Sequence, residues 1–197
     1  MLSGSWAWLL DADGADQAFS ERVRQAVLAG YTEPDPRLDL SGEDVRRKLL
    51  ILVRSAGVAL QADQVRMLSL LPGTLQQCTA AQVDGLLWQL DAPLAQARQR
   101  ATASAGSLAV VARWSASAGA SIGLEVLPPG HRLSGGQGTD NRVLIHSERY
   151  RGQPLGIQGP GAGTGVTAAA LLDDVLAIAA GRRAVTAPGT ASAVAAG

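Results

Sequence analysis

The sequence predicts an α+β fold, a mixed or antiparallel β-sheet covered on one face by helices, and three observations carry that expectation. Helical patterns fill most of the chain up to Thr102. Short apolar runs between Gly- and Pro-rich turns take over from Ser107 to Gln158. No strand–helix–strand alternation links the halves, so a doubly wound parallel sheet is not expected.

The first three helical pieces span Gly4–Leu10, Ser20–Ala29 and Glu43–Ala56. Ser20 is placed to cap the second, Gly30 to close it in a left-handed conformation, and Gly57 to end the third. Between the last two lies Tyr31-Thr32-Glu33-Pro34-Asp35-Pro36-Arg37, where two prolines forbid helix and make a stiff, acidic connector. Val65–Leu71 reads as a strand before the Pro72-Gly73 turn, and Ala80–Leu90 and Ala95–Thr102 as helices. Strands follow at Leu108–Ala116, Ser121–Leu127, Arg142–Glu148 and Pro154–Gln158, then a helix over Val166–Ala179. Residues 181–197 form a low-complexity tail. A sheet covered on one face leaves the other to a partner, and a two-fold homodimer is the expected cover.

With 197 residues the chain holds one domain with a sizeable core and a short appendage. A formal charge of zero and the lack of a polybasic stretch exclude a field for nucleic acid or an anionic membrane surface. The single cysteine, Cys78, excludes an internal disulfide framework, and His131 and His146 are not spaced with it for zinc, so no metal is expected. No apolar run reaches the length of a membrane span, and a cytoplasmic location is expected. The histidines have no G-x-S-x-G elbow to serve as a hydrolase triad. The four tryptophans are scattered and read as core or interface. The first helix begins with nothing before it to cap it, as expected of a piece of a longer protein.

Of the 17 basic residues 16 are arginine and one, Lys48, is lysine. Arginine stays protonated in proteins, whereas lysine can be tuned to release its proton. Ser41 as N-cap puts Asp44 at the third helical position, in a capping-box arrangement. A wheel with Val45, Leu49, Leu52 and Ala56 as the buried stripe sets Lys48 about 60° from its axis, with Asp44 one turn below at i,i+4. Two readings stand on chemistry alone. The pair is a surface salt bridge beside a solvated turn, or it shares a pocket with Glu33, Asp35 and Asp39 that takes a small zwitterion.

The segment Gly30 to Lys48, GYTEPDPRLDLSGEDVRRK, resembles the signature of homoserine dehydrogenases, G-Y-x-E-x-D-P-x-x-D-x-x-G-x-D-x-x-x-K. Leu38 stands where many members carry a further aspartate. Ser3-Gly4-Ser5 is similar to the family's pocket-lining turn, and Gly138-Thr139-Asp140-Asn141 with Glu148-Arg149-Tyr150 to another of its stretches. The resemblance implies that Glu33 and Asp44 contact homoserine, that Asp39, Tyr31, Gly4 and Ser5 lie at the same site, and that Lys48 carries the proton at the reacting oxygen. It implies NAD(P) as cofactor, interconversion of L-aspartate 4-semialdehyde and L-homoserine in threonine and methionine biosynthesis, and the option of an aspartokinase domain upstream. An isolated binding and dimerisation module, inert without its cofactor half, is the alternative, and a lysine Schiff-base lyase a third.

Gly159-Pro160-Gly161-Ala162-Gly163-Thr164-Gly165 sits between a strand and a helix, a setting in which backbone N–H groups can approach a phosphate or nucleotide ring. A self-contained dinucleotide fold would need a further strand with an acidic residue about 20 residues on. The resemblance implies instead that Gly161 or Gly163 borders the cofactor, which a missing nucleotide-binding domain mainly holds. The expected organisation is thus a catalytic and substrate-binding domain over 1–158, a glycine loop and helix returning to the absent domain over 159–180, and the tail from 181.

Overall fold

The protein is described by a computed structural model over residues 2–11, 16–68, 71–134, 140–161 and 164–181. Helix α1 (Gly4–Leu9) starts at Ser3, whose hydroxyl accepts the Trp6 N–H. Helix α2 (Phe19–Leu28) and α4 (Glu43–Ser55) end as the glycines foretold. Gly30 and Gly57 take φ of 73° and 88°, and the following N–H groups of Tyr31 and Val58 reach back to the Ala26 and Val53 carbonyls, closing Schellman caps.

Two start signals act differently. Ser20 lies inside α2, and its N–H and hydroxyl both donate to the Asp91 carboxylate from a distant segment, at 2.7 and 2.9 Å. Ser41 ends the one-turn helix α3 (Arg37–Leu40), and Gly42, left-handed at φ 77°, precedes α4. The Ser41 hydroxyl still accepts the Glu43 N–H at 3.2 Å, so the side chain serves α4 without the capping-box backbone.

Strand β1 (Val65–Met67) is shorter than the pattern suggested, and Pro72-Gly73 opens a helix, α5 (Gly73–Gln77), with proline just before its first turn. A one-turn helix α6 (Val83–Leu86) stands between 3-10 turns at Ala80–Gln82 and Leu87–Leu90, and α7 (Asp91–Ala103) follows. Strands β2 (Ser107–Ser115) and β3 (Gly119–Leu127) pair antiparallel from Ser107↔Leu127 to Ser115↔Gly119. Strand β1 adds to β3 in parallel, giving a mixed sheet of order β1-β3-β2. Strands β4 (Asp140–Ile145) and β5 (Leu155–Pro160) form a separate antiparallel pair. The C-terminal helix is α8 (Thr164–Ala179).

Alternation along β2 and β3 explains the layering. Leu108, Val110, Ala112, Ala120, Ile122 and Leu124 share the face that joins the helical core of Trp6, Leu9, Val23, Val45, Leu49, Leu75 and Leu94. The opposite face carries Ala109, Val111 and Leu127, which meet Leu133 and Leu144 in a small second cluster. The α+β architecture therefore holds, with helices on one face and a turn and strand partly over the other.

Candidate active site

The first turn of α1 brings Gly4 and Ser5 into the core, where both are buried. The Ser5 hydroxyl donates to Asp39 Oδ1 at 2.8 Å, and Asp39 Oδ2 accepts the Glu33 backbone N–H at 2.9 Å. The Trp6 indole N–H donates to the Asp39 carbonyl at 3.1 Å. One carboxylate on α3 thus ties the start of α1 to the backbone of the acidic connector. Glu33 itself is exposed, and its carboxylate has no hydrogen bond or ion pair among the described residues.

Tyr31 lies at the edge of this group, its ring on Trp8 with centroids 5.1 Å apart. The Arg22 guanidinium covers Trp8 at 4.2 Å, a cation–π contact that helps an arginine only 6% exposed to tolerate burial. Helix α4, which starts four residues beyond Asp39, presents Asp44 and Lys48. Lys48 Nζ stands 2.9 Å from Asp44 Oδ2, with side chains 35% and 49% exposed. The carboxylates of Glu43 and Asp44 in the first turn also suit the positive end of the helix.

The buried stripe of α4 is Val45, Leu49, Leu50 and Val53, while Leu52 is 41% and Ile51 63% exposed. Lys48 therefore lies farther from the core than the wheel placed it, on an outward face with two aliphatic neighbours. A partly open pocket of about 10 Å³ between Trp6, Leu40, Gly42, Met67 and Ile122 has room for about one water. The chain brings together Ser5, Asp39 and the Glu33 backbone by hydrogen bonds, with Gly4 next to Ser5 in α1, and Asp44 with Lys48 by an ion pair.

Arg37, the last residue of the connector, is tied in through its whole guanidinium. Its Nε and Nη2 grip the Asp35 carboxylate, at 2.9 and 2.6 Å to the two oxygens, while Nη1 donates to the Cys78 carbonyl at 2.5 Å. These hydrogen bonds hold the Asp35 carboxyl below the usual carboxylate range, against the opposing effect of burial. The Asp-Pro-Arg spacing was a usable signal for the pair, but Cys78 is 41 residues away and gave none.

At the far end of β5, a Cβ on Gly161 would meet the Asn141 carboxamide at 2.1 Å, so a larger residue there requires that side chain to move. Gly163, Gly138 and Thr139 lie outside the described residues. Among the described residues no group of three or more His, Cys, Asp or Glu is arranged for a metal, and no helix is long and apolar enough to cross a membrane.

The sequence profile described as homoserine dehydrogenase matches residues 1–176. The chain is 41% identical over 179 residues to a bifunctional aspartokinase/homoserine dehydrogenase 2 of Escherichia coli, covering 89% of this chain and 22% of that protein. It is 36% identical over 188 residues to a homoserine dehydrogenase of Saccharomyces cerevisiae, covering 91% of this chain and 52% of that one. The chain thus spans about half or less of these relatives. The crystal structure of a homoserine dehydrogenase from Thiobacillus denitrificans superposes with a TM-score of 0.66 at 23% identity, over 90% of this chain and 37% of that one, a likeness of fold. With its profile match over nearly all of the described residues and the signature from Gly30 to Lys48 in place, the chain belongs to the homoserine dehydrogenase family, a family of oxidoreductases.

Proposed function

We propose that this chain is the substrate-binding and catalytic portion of an NAD(P)-dependent homoserine dehydrogenase, interconverting L-aspartate 4-semialdehyde and L-homoserine on the way to threonine and methionine. The observation that carries the reading is the Lys48–Asp44 pair, placed one short helix beyond the Asp39-tethered Glu33. The Glu33 carboxylate, without a protein partner among the described residues, takes the substrate ammonium. Asp44 orients the Lys48 ammonium, which gives a proton to the carbonyl oxygen as it becomes alkoxide and takes it back in the reverse direction. Gly4 and Ser5 shape the floor of the pocket, Tyr31 its rim, and Asp39 the wall behind Glu33.

A nicotinamide cofactor, when bound, supplies or takes the hydride at the adjoining carbon. The fit of this chain to it is at one edge. Gly161, bare of a side chain and backed by Asn141, offers flat backbone to a ring, and Gly163 is proposed beside it. Most of the cofactor is held by a nucleotide-binding domain outside residues 1–197, on which the glycine segment and α8 pack. Among the described residues, ten of the nineteen large apolar side chains that stand exposed fall between Ile145 and Ile178, six of them on α8, in support of such a cover. The enzyme is proposed to be a cytoplasmic homodimer.

The same exposed surface favours a second reading, in which the 197-residue chain alone binds and dimerises but does not turn over. The two are separated by assaying Lys48→Ala in a protein containing both domains. Turnover should fall about 10²- to 10⁴-fold with less effect on KM, and survival of turnover sinks the role of Lys48. The isolated chain should sediment as a dimer and oxidise no cofactor.

A further inference from the structure

The connector that presents Glu33 is unusually short of backbone support. Pro34 and Pro36 have no N–H to donate, and the Glu33 N–H is already committed to Asp39. From Glu33 to Pro36, the remaining backbone bonds are those in which the Asp35 and Pro36 carbonyls accept the Leu38 and Leu40 N–H groups at the start of α3. The shape of the loop at Asp35 must therefore come from side chains.

Arg37 supplies it. Its own N–H donates to Asp35 Oδ1 at 3.1 Å, closing a turn around Pro36. Its guanidinium fork takes both carboxylate oxygens, and its remaining nitrogen holds the Cys78 carbonyl. Both side chains are substantially covered, 19% and 30% exposed. Cys78 ends α5, which Leu75 fixes in the core at 0% exposure, and Val83 fixes the following helix at 4%. The tether is thus made to the bend that joins α5 to the next helical turn, between the core residues Leu75 and Val83.

We infer that Arg37 is a positioning residue for Glu33, locking Asp35 to the Cys78 corner while Asp39 fixes the Glu33 backbone from the other side. The inference rests on the proposed role of Glu33 as the ammonium anchor. Its chemical content is that the loop is held at two points, and that guanidinium geometry, not merely positive charge, is required at the second. A lysine there could neutralise Asp35 but could not also bridge to the Cys78 carbonyl with a planar fork.

The test uses a protein carrying both domains, with Arg37→Ala and Arg37→Lys compared on homoserine and on 4-hydroxybutyrate derivatives that lack the ammonium group. Release of the clamp should raise KM for homoserine about tenfold or more in Arg37→Ala, change kcat much less, and erode the preference for homoserine by a similar factor. Arg37→Lys should recover only part of the loss, and Asp35→Asn combined with Arg37→Ala should be no worse than Arg37→Ala alone. An unchanged KM in a folded variant, full rescue by lysine, or equal losses on both substrates overturns the inference. Should the unaltered protein fail to oxidise homoserine, the functional reading falls by itself. The clamp is then judged by amide exchange in Arg37→Ala, where faster exchange confined to residues 33–40 supports it and unchanged protection overturns it.

Discussion

Replacing Asp39 separates two jobs that one carboxylate does at once. Asp39→Ala removes the acceptor for the Ser5 hydroxyl, a group only 9% exposed, and for the Glu33 N–H, which lies at an exposed position. A hydrogen bond to a charged group with a buried partner contributes roughly 1.5–3 kcal/mol, and one whose partner can rehydrate roughly 0.5–1.5 kcal/mol. The expected loss is therefore about 2–4 kcal/mol. With a urea slope of about 2 kcal/mol per molar, the unfolding midpoint should fall by about 1–2 M. Asp39→Asn should cost about 1 kcal/mol, because its amide oxygen can accept the Glu33 N–H while its NH₂ donates to Ser5 Oγ. That serine can turn its own proton toward Ser3 Oγ, 3.0 Å away. Urea titrations of the three proteins, followed by tryptophan fluorescence, measure the difference. Equal losses for alanine and asparagine, or a loss below about 0.5 kcal/mol for alanine, would refute the assignment of Asp39 as the tie between α1 and the connector.

Two further outcomes follow from backbone and charge. Ala105 closes α7 in the left-handed region at φ 49°, a place that glycine normally fills, while Gly106 follows because a Cβ there would sit 2.3 Å from the Leu127 carbonyl oxygen. Ala105→Gly should stabilise by about 0.5 kcal/mol after its greater freedom in the unfolded chain is subtracted, whereas Gly106→Ala should lower Tm markedly. A calorimetric ranking in the opposite order would contradict this. Asp35 is held below the ordinary carboxylate range in the folded protein by Arg37. Its contribution is therefore present above the unfolded-state value of about 3.9 and is lost as pH falls through the lower folded value. The stability gap between the native protein and Asp35→Asn should accordingly be steady near pH 7 and shrink below about pH 4. A gap in the urea midpoint that widens on acidification would reverse the sign of the argument.

Local chemistry in the sequence was enough wherever one residue type decides one conformation. Gly30 and Gly57 end their helices because each takes a left-handed φ that other residues avoid. Strands β2 and β3 declared themselves as short apolar runs separated by a glycine-containing turn. Contacts across the chain were not legible in this way. Ser20 looks like a cap, and only the arrival of Asp91 turns it to a different partner. Pro72-Gly73 looks like a turn because proline serves both turns and helix starts, and α5 takes the second use. The phase of α4 was missed for another reason. Leu49-Leu50-Ile51-Leu52-Val53 is aliphatic all round, so a wheel cannot say which three face inward, and the sheet chose Leu49, Leu50 and Val53.

That choice bears on the chemistry of the lysine. The rotation of α4 that buries Leu50 turns Ile51 and Leu52 outward alongside Lys48 and Asp44. A lone exposed aliphatic is unremarked on any protein surface, but two beside an ion pair, on the helix that carries the family's lysine, mark a face suited to being covered. An exposed pair of this kind contributes little to stability, about 0–1 kcal/mol, so the fold of this chain gives Lys48 no strong reason to be lysine rather than arginine.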